Sequence, residues 1–381
     1  MKTKNILIAA AVALSFVAPT QAFAEYGDDA YKKRVELSKQ IKKMKNMRKQ
    51  LPSPPPAGLF GVYAFPEKGQ YVTGVNFQHH EFSGMLQGST SVTEADVGSS
   101  TLMVTPDSAK ANVILPFINY TVNDKVALVA MAPLIEKETV LRSFYHNADS
   151  SLDNLVGTNT VKSKGLGDVK FGALYKAYNS EDNKHNVIID AVLSAPTGSI
   201  TEEDMNLLPF NPANGSENTD KSMTSKRLAY GMQLGGGTWD AMVGAAYWGK
   251  EDKWGYGAQY LATIPLEDKN KNGWRFGDKH ELTAWSSYSW EPTLVSSFRL
   301  RAEHQDEISG SDALLAPMPA LGANTANYGG KILEASVGVN YMYAPAKNIS
   351  IEISKPISQD RNGIQADKDS SIAISWRNAF F

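Results

Sequence analysis

Residues 165–198 read GLGDVKFGALYKAYNSEDNKHNVIIDAVLSAPTG, which predicts two long strands joined by a short polar turn. Over 169–177 and again over 187–195, an apolar face alternates with a mixed, partly charged one. A period of two is the pattern of a strand with two different faces. The runs are about 11 to 14 residues long, whereas globular strands usually have about 5 or 6 and tilted membrane-spanning strands need about 9 to 11. Their length therefore favours a transmembrane β-barrel over a soluble sandwich, which shows the same alternation.

The composition and the first residues of the chain limit the classes of protein to which it can belong. The chain has 381 residues, no cysteine and a formal net charge of −2, with a mean hydropathy of −0.30. Lys2 and Lys4 precede an apolar core, and the small-x-small sequence at 22–24 fits a cleavage site, so we expect a secretory signal peptide over 1–24 and export through the periplasm. Beyond it no apolar run reaches the roughly 18 residues of a membrane helix. Lack of cysteine excludes disulfides and thiolate chemistry, and the balanced charge gives no reason to expect a nucleic-acid partner.

The segment 25–57 is predicted to be a basic periplasmic helix followed by a Pro-rich linker, separate from a barrel domain over 58–381. Nine Lys or Arg stand in 28–50, and Leu37, Ile41 and Met44 share one stripe. A solvated helix that is marginal in water explains this pattern. The alternative is a short coiled coil through which the protein forms an oligomer.

The remainder of the chain predicts an all-β, antiparallel, up-and-down transmembrane barrel. Twelve strands are expected, at 70–82, 109–122, 125–137, 165–178, 185–196, 238–248, 253–265, 279–290, 293–305, 330–343, 348–358 and 370–381. Short turns alternate with longer loops at 83–108, 138–164, 197–237, 266–278, 308–329 and 359–369, as short periplasmic turns and long outer loops do in bacterial barrels. The segment 226–237 leaves fourteen strands as the alternative.

The last strand and the strand ends predict contacts with the membrane and its assembly machinery. Ile372, Ile374, Trp376 and Phe380 share one face, and the sequence stops at Phe381. A terminal aromatic residue resembles the signal that the barrel assembly machinery recognises. Aromatic residues at strand ends fit girdles at the two lipid surfaces of the outer membrane: Tyr247, Trp254, Tyr288, Trp290, Tyr341 and Tyr343.

Several short motifs occur in a recognisable order from about residue 69 to the C-terminus. They are Gly-Leu-Gly-Asp at 165–168, Ala-Pro-Thr-Gly at 195–198, Gly-Asp at 277–278 and Pro-x-x-Gln-Asp-x-Asn-Gly at 356–363. Together they resemble the outer-membrane transporter family named for the phenol-degradation meta pathway, distantly similar to long-chain fatty-acid transporter barrels. The resemblance implies a closed barrel that passes hydrophobic or aromatic compounds. The motif positions that carry it are Gly165, Gly167, Asp168, Pro196, Gly198, Asp278, Asn362 and Gly363.

Charged residues on the predicted inward face are the candidate selectivity residues of the lumen. If the apolar faces contact lipid, seven charges from five consecutive strands point inward, because Arg or Lys on the lipid face costs about 2 to 4 kcal/mol near the midplane. These residues are Glu281, Arg299, Arg301, Glu303, Glu334, Glu352 and Arg377. They predict either a constriction that selects solutes by charge or a neutralised ion-pair network that fills a narrow barrel.

Other chemistry has little support in the sequence. The segment 268–273 resembles the opening of a calcium loop, but its twelfth position is Lys279 and not the required Glu, so a turn rich in Asn and Gly is expected and no metal. The six histidines stand in no catalytic motif. We expect neither enzymatic activity nor a cofactor.

These observations predict an outer-membrane channel for passive uptake or efflux of small hydrophobic or aromatic solutes. The alternative is a non-conducting outer-membrane barrel that anchors or organises a periplasmic or surface partner. The sequence does not identify the solute.

Overall fold

The computed structural model describes residues 32–39, 54–59, 68–97, 103–145, 154–315, 320–344 and 346–380. The chain divides into two compact units, Met1–Lys43 and Met44–Phe381. In the first unit, residues 32–39 form helix α1. The predicted signal peptide, most of the basic arm and the terminal Phe381 lie outside the described residues.

The second unit is almost entirely β. Its strands are β1 Tyr71–Gly88, β2 Thr90–Val92, β3 Val104–Asn123, β4 Val126–Met131, β5 Leu134–Tyr145, β6 Asn154–Leu166, β7 Lys170–Asn179, β8 His185–Ser194, β9 Glu203–Leu207, β10 Met223–Arg227, β11 Asp240–Glu251, β12 Trp254–Pro265, β13 Trp274–Arg275, β14 Lys279–Glu291, β15 Leu294–Gln305, β16 Ser309–Gly310, β17 Gly330–Ala344 and β18 Lys347–Phe380. A one-turn helix α2, Glu94–Val97, and 3-10 turns at Tyr230–Met232, Leu321–Ala323 and Thr325–Asn327 lie between them. No helix in the described ranges is long and apolar enough to cross a membrane.

The main sheet closes on itself as an antiparallel barrel. Strand β1 pairs with β18 on one side and with β3 on the other. Within the described residues, eleven strand elements form the ring: β1, β3, β4, β7, β8, β11, β12, β14, β15, β17 and β18. Because every strand in the ring has two partners, no edge is left unpaired, which is the condition for a sheet surrounded by lipid.

The last element, β18, is 34 residues long and passes through the ring twice. Its first part pairs with β17 and its second part with β1. The backbone N–H of Lys368 donates to the side chain of Gln359 at 3.3 Å, which a single extended strand forbids. The chain reverses near Gly363, whose φ is +55°. The barrel therefore has twelve crossings, as predicted; β9 and β10 pair only with each other outside the ring, so the fourteen-strand alternative does not occur.

The prediction of two outer loops is wrong, because most of each segment forms strand. Most of 138–164 belongs to the hairpin of β5 and β6, which extends the sheet beyond the ring, and 359–369 belongs to β18. Polar residues are frequent on both faces of these segments, since a strand that projects beyond lipid does not need a continuous apolar outer face. The alternating pattern therefore gave no strand signal there.

Two predicted strands are interrupted. The predicted strand 125–137 divides into β4 and β5 at residues 132–133, where Pro133 has no N–H to donate to a ladder. The predicted strand 165–178 divides into β6 and β7 at residues 167–169, beside the first break. The N–H of Gly167 donates to the carbonyl of Pro133 at 2.8 Å, so the two breaks are held together.

The outer surface of the ring is apolar, as the alternation predicts. Exposed apolar side chains recur at every second position on neighbouring strands: Phe171, Ile189, Leu193, Val243, Tyr260, Leu282, Phe298, Val337, Ile353 and Ile374. An exposed apolar belt of this extent requires a lipid environment. Near the short turns, the rings of Trp254 and Trp290 lie 5.0 and 4.8 Å from that of Tyr288, which is one of the two expected girdles.

The inside of the barrel has an apolar side and a charged side. The segment 54–59 and strands from β1 to β14 contribute a buried apolar cluster: Leu59, Val72, Phe117, Ala127, Val129, Met131, Leu174, Ile188, Val192, Met242, Ala246, Trp248, Leu261 and Trp285. Most of the inward charges lie on β14, β15, β17 and β18, and Lys170 on β7 also lines the cavity. The sequence did not reveal the apolar side, because apolar residues such as Ile188 and Val192 share the inward face of a strand with polar ones.

The outer loops pack into a small core of their own above the barrel. Its buried members are Ile200, Tyr230, Trp274, Ile308, Leu315 and Ala323, with Phe276, Ala320 and Tyr328 against them. Tyr230 lies at the centre, with its ring 4.9 Å from that of Trp274 and 5.7 Å from that of Tyr328. These loops therefore form a packed cover and not a set of solvated tails.

Candidate functional site

Arg301 on β15 is the centre of the charged side of the lumen. Its Nη1 lies 2.5 Å from Glu281 Oε1 and 2.6 Å from Glu303 Oε2. Its Nε donates to Glu334 Oε2 at 2.9 Å. Because β14, β15 and β17 are neighbours in register, the alternation of each strand brings the three carboxylates around one guanidinium.

Two lysines complete this cluster and neutralise it. Lys279 Nζ lies 3.0 Å from Glu281 Oε2 and 3.9 Å from Glu303 Oε2, and Lys368 Nζ lies 2.6 Å from Glu334 Oε1. Three cations thus face three carboxylates. We call Lys279, Glu281, Arg301, Glu303, Glu334 and Lys368 the lumen cluster. Equal numbers of positive and negative charges are what a neutralised ion-pair network requires. The sequence left open whether these residues form such a network or a constriction that selects solutes by charge.

A second ion pair lies apart from the lumen cluster. Arg299 Nη2 lies 2.6 Å from Glu352 Oε1, and Arg299 Nε donates to Glu352 Oε2 at 3.2 Å. Exposure is 6% for the Arg299 side chain and 0% for that of Glu352. Arg377, also buried, donates from Nη2 to the carbonyl of Pro56 at 3.5 Å. These three inward residues therefore contact the N-terminal part of the second unit.

The short segment 54–59 lies inside the barrel and contacts this pair. Asn76 Nδ2 donates to the carbonyl of Ala57 at 2.7 Å, and Leu59 joins the buried apolar cluster. Gly58 lies so close to the ion pair that a Cβ there would lie 2.7 Å from Arg299 Nη2 and overlap Glu352. A larger residue at this point would have to displace the ends of these two side chains, so the segment packs closely against the ion pair and obstructs the lumen beside Arg299 and Glu352.

The inner cavity between these groups has a volume of about 600 Å³. Six of the seven predicted selectivity residues line it: Glu281, Arg299, Arg301, Glu303, Glu334 and Glu352. The cavity wall is mostly charged on one side and mostly apolar on the other, where Met131, Met242 and Leu261 contribute together with Lys170. A solute in this cavity meets paired charges and not a ring of free ones.

The motif residue Asp168 lies at the break between β6 and β7 and holds an outer loop. Its Oδ1 accepts from the N–H of Gly198 at 2.8 Å, and its Oδ2 accepts from the N–H of Gly236 at 2.8 Å. Asp168 is 7% exposed. Hydrogen bonds from two backbone N–H groups to one buried carboxylate are strong, so Asp168 joins the barrel wall to both ends of the loop 197–237.

The neighbouring motif glycines permit this close packing. A Cβ at Gly167 would lie 2.5 Å from Ile135 Cδ1, and a Cβ at Gly165 would lie 2.8 Å from Leu234 Cδ1. Pro196 lies two residues after the end of β8 and two residues before Gly198, which donates to Asp168. These motif residues therefore allow the loop 197–237 to pack closely against the barrel wall.

The other motif positions lie elsewhere at the outer end. Asp278 Oδ1 accepts from Arg275 Nη1 at 3.0 Å. Asn362 Nδ2 donates to the carbonyl of Tyr328 at 3.1 Å, and Gly363 has the positive φ of the β18 reversal. The eight motif residues thus do not form one site; they lie at separate turns and contacts of the barrel wall and its loops.

An apolar cavity of about 440 Å³ lies under the outer loops, and we call it the outer chamber. Its walls are mostly aliphatic: Val104, Leu141, Val161, Leu207, Leu228, Met232, Leu321 and Ile364 contribute. Phe82 and Arg361 line both the outer chamber and the inner cavity. The two cavities therefore adjoin at these two side chains.

Tyr328 closes the cover of the outer chamber. Its hydroxyl donates to the carbonyl of Gly322 at 2.7 Å and accepts from the N–H of Gly231 at 3.2 Å. Burial raises the pKa of Tyr328 well above its ordinary value, so the hydroxyl keeps its proton and remains a donor. Burial also raises the pKa of Tyr230, whose hydroxyl accepts from the N–H of Asp312 at 2.9 Å.

The described residues contain no group of three or more His, Cys, Asp or Glu arranged to hold a metal ion. In the segment that resembles a calcium loop, Asn270 Oδ1 accepts from the N–H groups of Asn272 at 2.9 Å and Trp274 at 3.3 Å. Asn270 thus forms the turn that was expected there.

Sequence reasoning missed four residues of these cavities. Lys279 has the same parity as Glu281 on β14, so its inward direction was available from the alternation. Arg361 and Lys368 fell in a predicted loop, which hid them. Gly58 carries no signal at all, because its role depends on a contact with a distant ion pair.

No protein-family model matches the sequence. No curated protein matches it.

Solved structures do resemble the fold. The COG4313 outer membrane channel from Pseudomonas putida F1 is 15% identical, over 86% of this chain and 100% of that one, with a TM-score of 0.55. The P. putida toluene transporter TodX is 11% identical over 83% and 91%, with a TM-score of 0.39. The beta domain of the Bordetella autotransporter BrkA is 11% identical over 82% and 100%, with a TM-score of 0.42. At these identities the likeness to the COG4313 channel shows a shared barrel fold.

Proposed function

We propose that this protein is an outer-membrane channel through which small hydrophobic or aromatic solutes cross passively, in uptake or efflux. The observation that carries the proposal is the pair of adjoining cavities along a closed, lipid-belted barrel. An apolar outer chamber of about 440 Å³ meets an inner cavity of about 600 Å³ at Phe82 and Arg361. Apolar walls with a few placed polar groups are what small hydrophobic ligands require.

We also propose that the chain belongs with the outer-membrane transporters named for the phenol-degradation meta pathway. Two observations support this. Its motif residues lie at turns and contacts of the barrel wall and its loops, such as the contact of Asp168 with Gly198, and the fold resembles that of the COG4313 channel. The remaining expectations are part of the proposal: export through the periplasm, insertion by the assembly machinery through the last strand, and no enzymatic activity.

In the conformation described, the path is closed at two levels. The packed outer loops cover the chamber, and the segment 54–59 obstructs the lumen beside Arg299 and Glu352. We propose that solute passage requires movement of both, and that the lumen cluster and the Arg299–Glu352 pair then set which solutes pass. A ring of charges of one sign selects ions by their charge, and paired charges of opposite sign do this less strongly. The paired side chains still narrow the lumen, so they exclude bulky apolar groups by size.

Single-channel recording in planar bilayers tests the proposal. Purified protein should produce discrete openings, and millimolar aromatic solute should block them briefly, because the solute occupies the conducting path. Silence in every recording, with every solute class added, would contradict a channel.

One observation favours a second candidate function. The charges in the lumen are neutralised, which suits a barrel that carries no flux and anchors a partner through its basic arm. Deletion of 28–50 separates the two functions: a channel keeps its flux, whereas an anchoring protein loses its partner in pull-down from the periplasmic fraction.

A further inference from the structure

The outer chamber contains four basic side chains in an otherwise apolar wall, and they differ in their partners. Lys110 pairs with Glu138 at 2.9 Å. Arg227 pairs with Asp312 at 3.3 Å and with Glu203. These two cations are compensated by carboxylates, so they offer little to an anion that enters the chamber.

The other two cations have no carboxylate partner within the described residues. Among the described residues, Lys137 Nζ donates to the carbonyls of Gly231 at 2.9 Å and Gln233 at 2.6 Å. Arg361 donates from Nη2 to the side-chain oxygen of Gln359 at 3.0 Å. Its Nε is closed off from solvent and has no hydrogen-bond partner in the part of the chain that the structure describes.

Arg361 is not neutralised by the lumen cluster either. Glu303, Asp367 and Glu334 are near enough to attract it. Glu303 and Glu334 are bound to Arg301, and Asp367 accepts from Gln359 Nε2. A partly desolvated guanidinium without a carboxylate partner is costly unless an anion binds it.

The position of Arg361 suits a solute in transit. It lines both cavities together with Phe82, so a solute that leaves the outer chamber for the inner cavity passes both side chains. Guanidinium binds carboxylate by two parallel hydrogen bonds, and an aromatic ring pairs favourably with another aromatic ring. The junction thus offers one group for an acid and one for a ring.

We propose that the outer chamber is a binding site for an aromatic carboxylate, with the carboxylate on Arg361 and the ring in the apolar chamber beside Phe82. This inference rests on the proposed channel function and narrows its solutes from hydrophobic compounds in general to aromatic acids. Lys137 adds positive potential from the chamber wall. A neutral hydrocarbon of the same shape fills the same space but leaves Arg361 without an anion.

Isothermal titration calorimetry on the detergent-solubilised full-length protein tests this. The probes are biphenyl-4-carboxylate and its neutral amide, biphenyl-4-carboxamide, which have nearly the same shape. We expect the acid to bind about tenfold more tightly or better, the range for hydrogen bonds to a charged group. Arg361→Gln should abolish this preference and keep amide binding. Arg361→Lys should retain part of it.

Arg275→Gln is the matched control, because Arg275 lies on β13, pairs with Asp278 and does not line the chamber. Each variant is first checked for the heat-dependent shift in gel mobility of a folded barrel. Equal affinity for acid and amide in the wild type, loss of the preference in Arg275→Gln, an unchanged preference in Arg361→Gln, or no binding of either probe would overturn the assignment.

Uptake of the amide into proteoliposomes separates this inference from the channel function. Amide uptake without a preference for the acid in binding leaves the channel standing and removes the aromatic-acid site. Preferential acid binding without uptake of either probe retains the site and removes the channel.

Discussion

Arg299 and Glu352 form a two-point ion pair inside the barrel, with N–O distances of 2.6 and 3.2 Å and almost no exposure of either side chain. The pair lies against Gly58, so one buried contact joins the barrel wall to the segment that obstructs the lumen. The effect of this ion pair on stability and the effect of the segment 54–59 on flux can be measured with different variants.

Removing one partner of this pair should destabilise the barrel. Arg299→Met leaves Glu352 as an uncompensated buried charge, so the free energy of unfolding should fall by about 3–5 kcal/mol. The double variant with Glu352→Leu should recover most of that loss, because no unpaired charge remains. Urea unfolding in detergent micelles measures both. A single variant as stable as the wild type would show that the pair is hydrated.

Enlarging Gly58 should open the lumen. Gly58→Leu cannot occupy the space beside Glu352 and Arg299 Nη2, so the segment 54–59 should be displaced and conductance should rise severalfold in planar bilayers. Lys68→Ala, at an exposed position between this segment and β1, is the control. Unchanged conductance in Gly58→Leu would mean that the segment does not limit the path.

Breaking the contact of Asp168 should release the loop 197–237. Asp168→Ala leaves the N–H groups of Gly198 and Gly236 without their acceptor, at a cost of about 1–3 kcal/mol for each unsatisfied group that stays buried. We expect faster limited proteolysis within 197–237. Asp182→Asn, at an exposed turn, should digest like the wild type. Equal digestion of Asp168→Ala would contradict this role of Asp168.

The cover of the outer chamber should weaken at alkaline pH. The pKa of Tyr328 is raised in the folded protein, so its stabilisation is fully present below the ordinary tyrosine pKa of about 10. It is lost as pH rises toward and through the raised value, because only the unfolded or opened form gives up the proton readily.

Hydrogen exchange of the amide of Gly231 as a function of pH measures this loss. In Tyr328→Phe the partner N–H of Gly231 loses its acceptor, so exchange at pH 8 should already be fast after correction for intrinsic rates. Slow exchange in Tyr328→Phe would show that the hydroxyl does not hold the cover closed.

The sequence predicts the barrel strands correctly wherever contact with lipid imposes an alternation of apolar and polar residues. Outward residues such as Leu282 and Phe298 and inward residues such as Glu281 and Arg301 follow from the period of two, since a strand in lipid has one apolar face. The even number of crossings followed from the alternation of short and long connections.

The sequence does not predict the structure where strands leave the lipid or where residues face the lumen. Strands β5 and β6 project beyond the ring and carry polar residues on both faces, so they read as a loop. Ile188 and Val192 point into the apolar side of the lumen, which the pattern alone does not distinguish from lipid contact. Gly58 and Arg361 depend on tertiary neighbours, and no local pattern reports these.

Liposome swelling with purified, refolded protein tests the central claim most directly. Uncharged sugars of increasing size and small aromatic acids and amides are compared in vesicles with wild-type protein, with Gly58→Leu and without protein. We predict protein-dependent swelling with the aromatic solutes, a size cutoff among the sugars and faster rates in Gly58→Leu. Rates equal to those of protein-free vesicles for every solute in both proteins would contradict the channel.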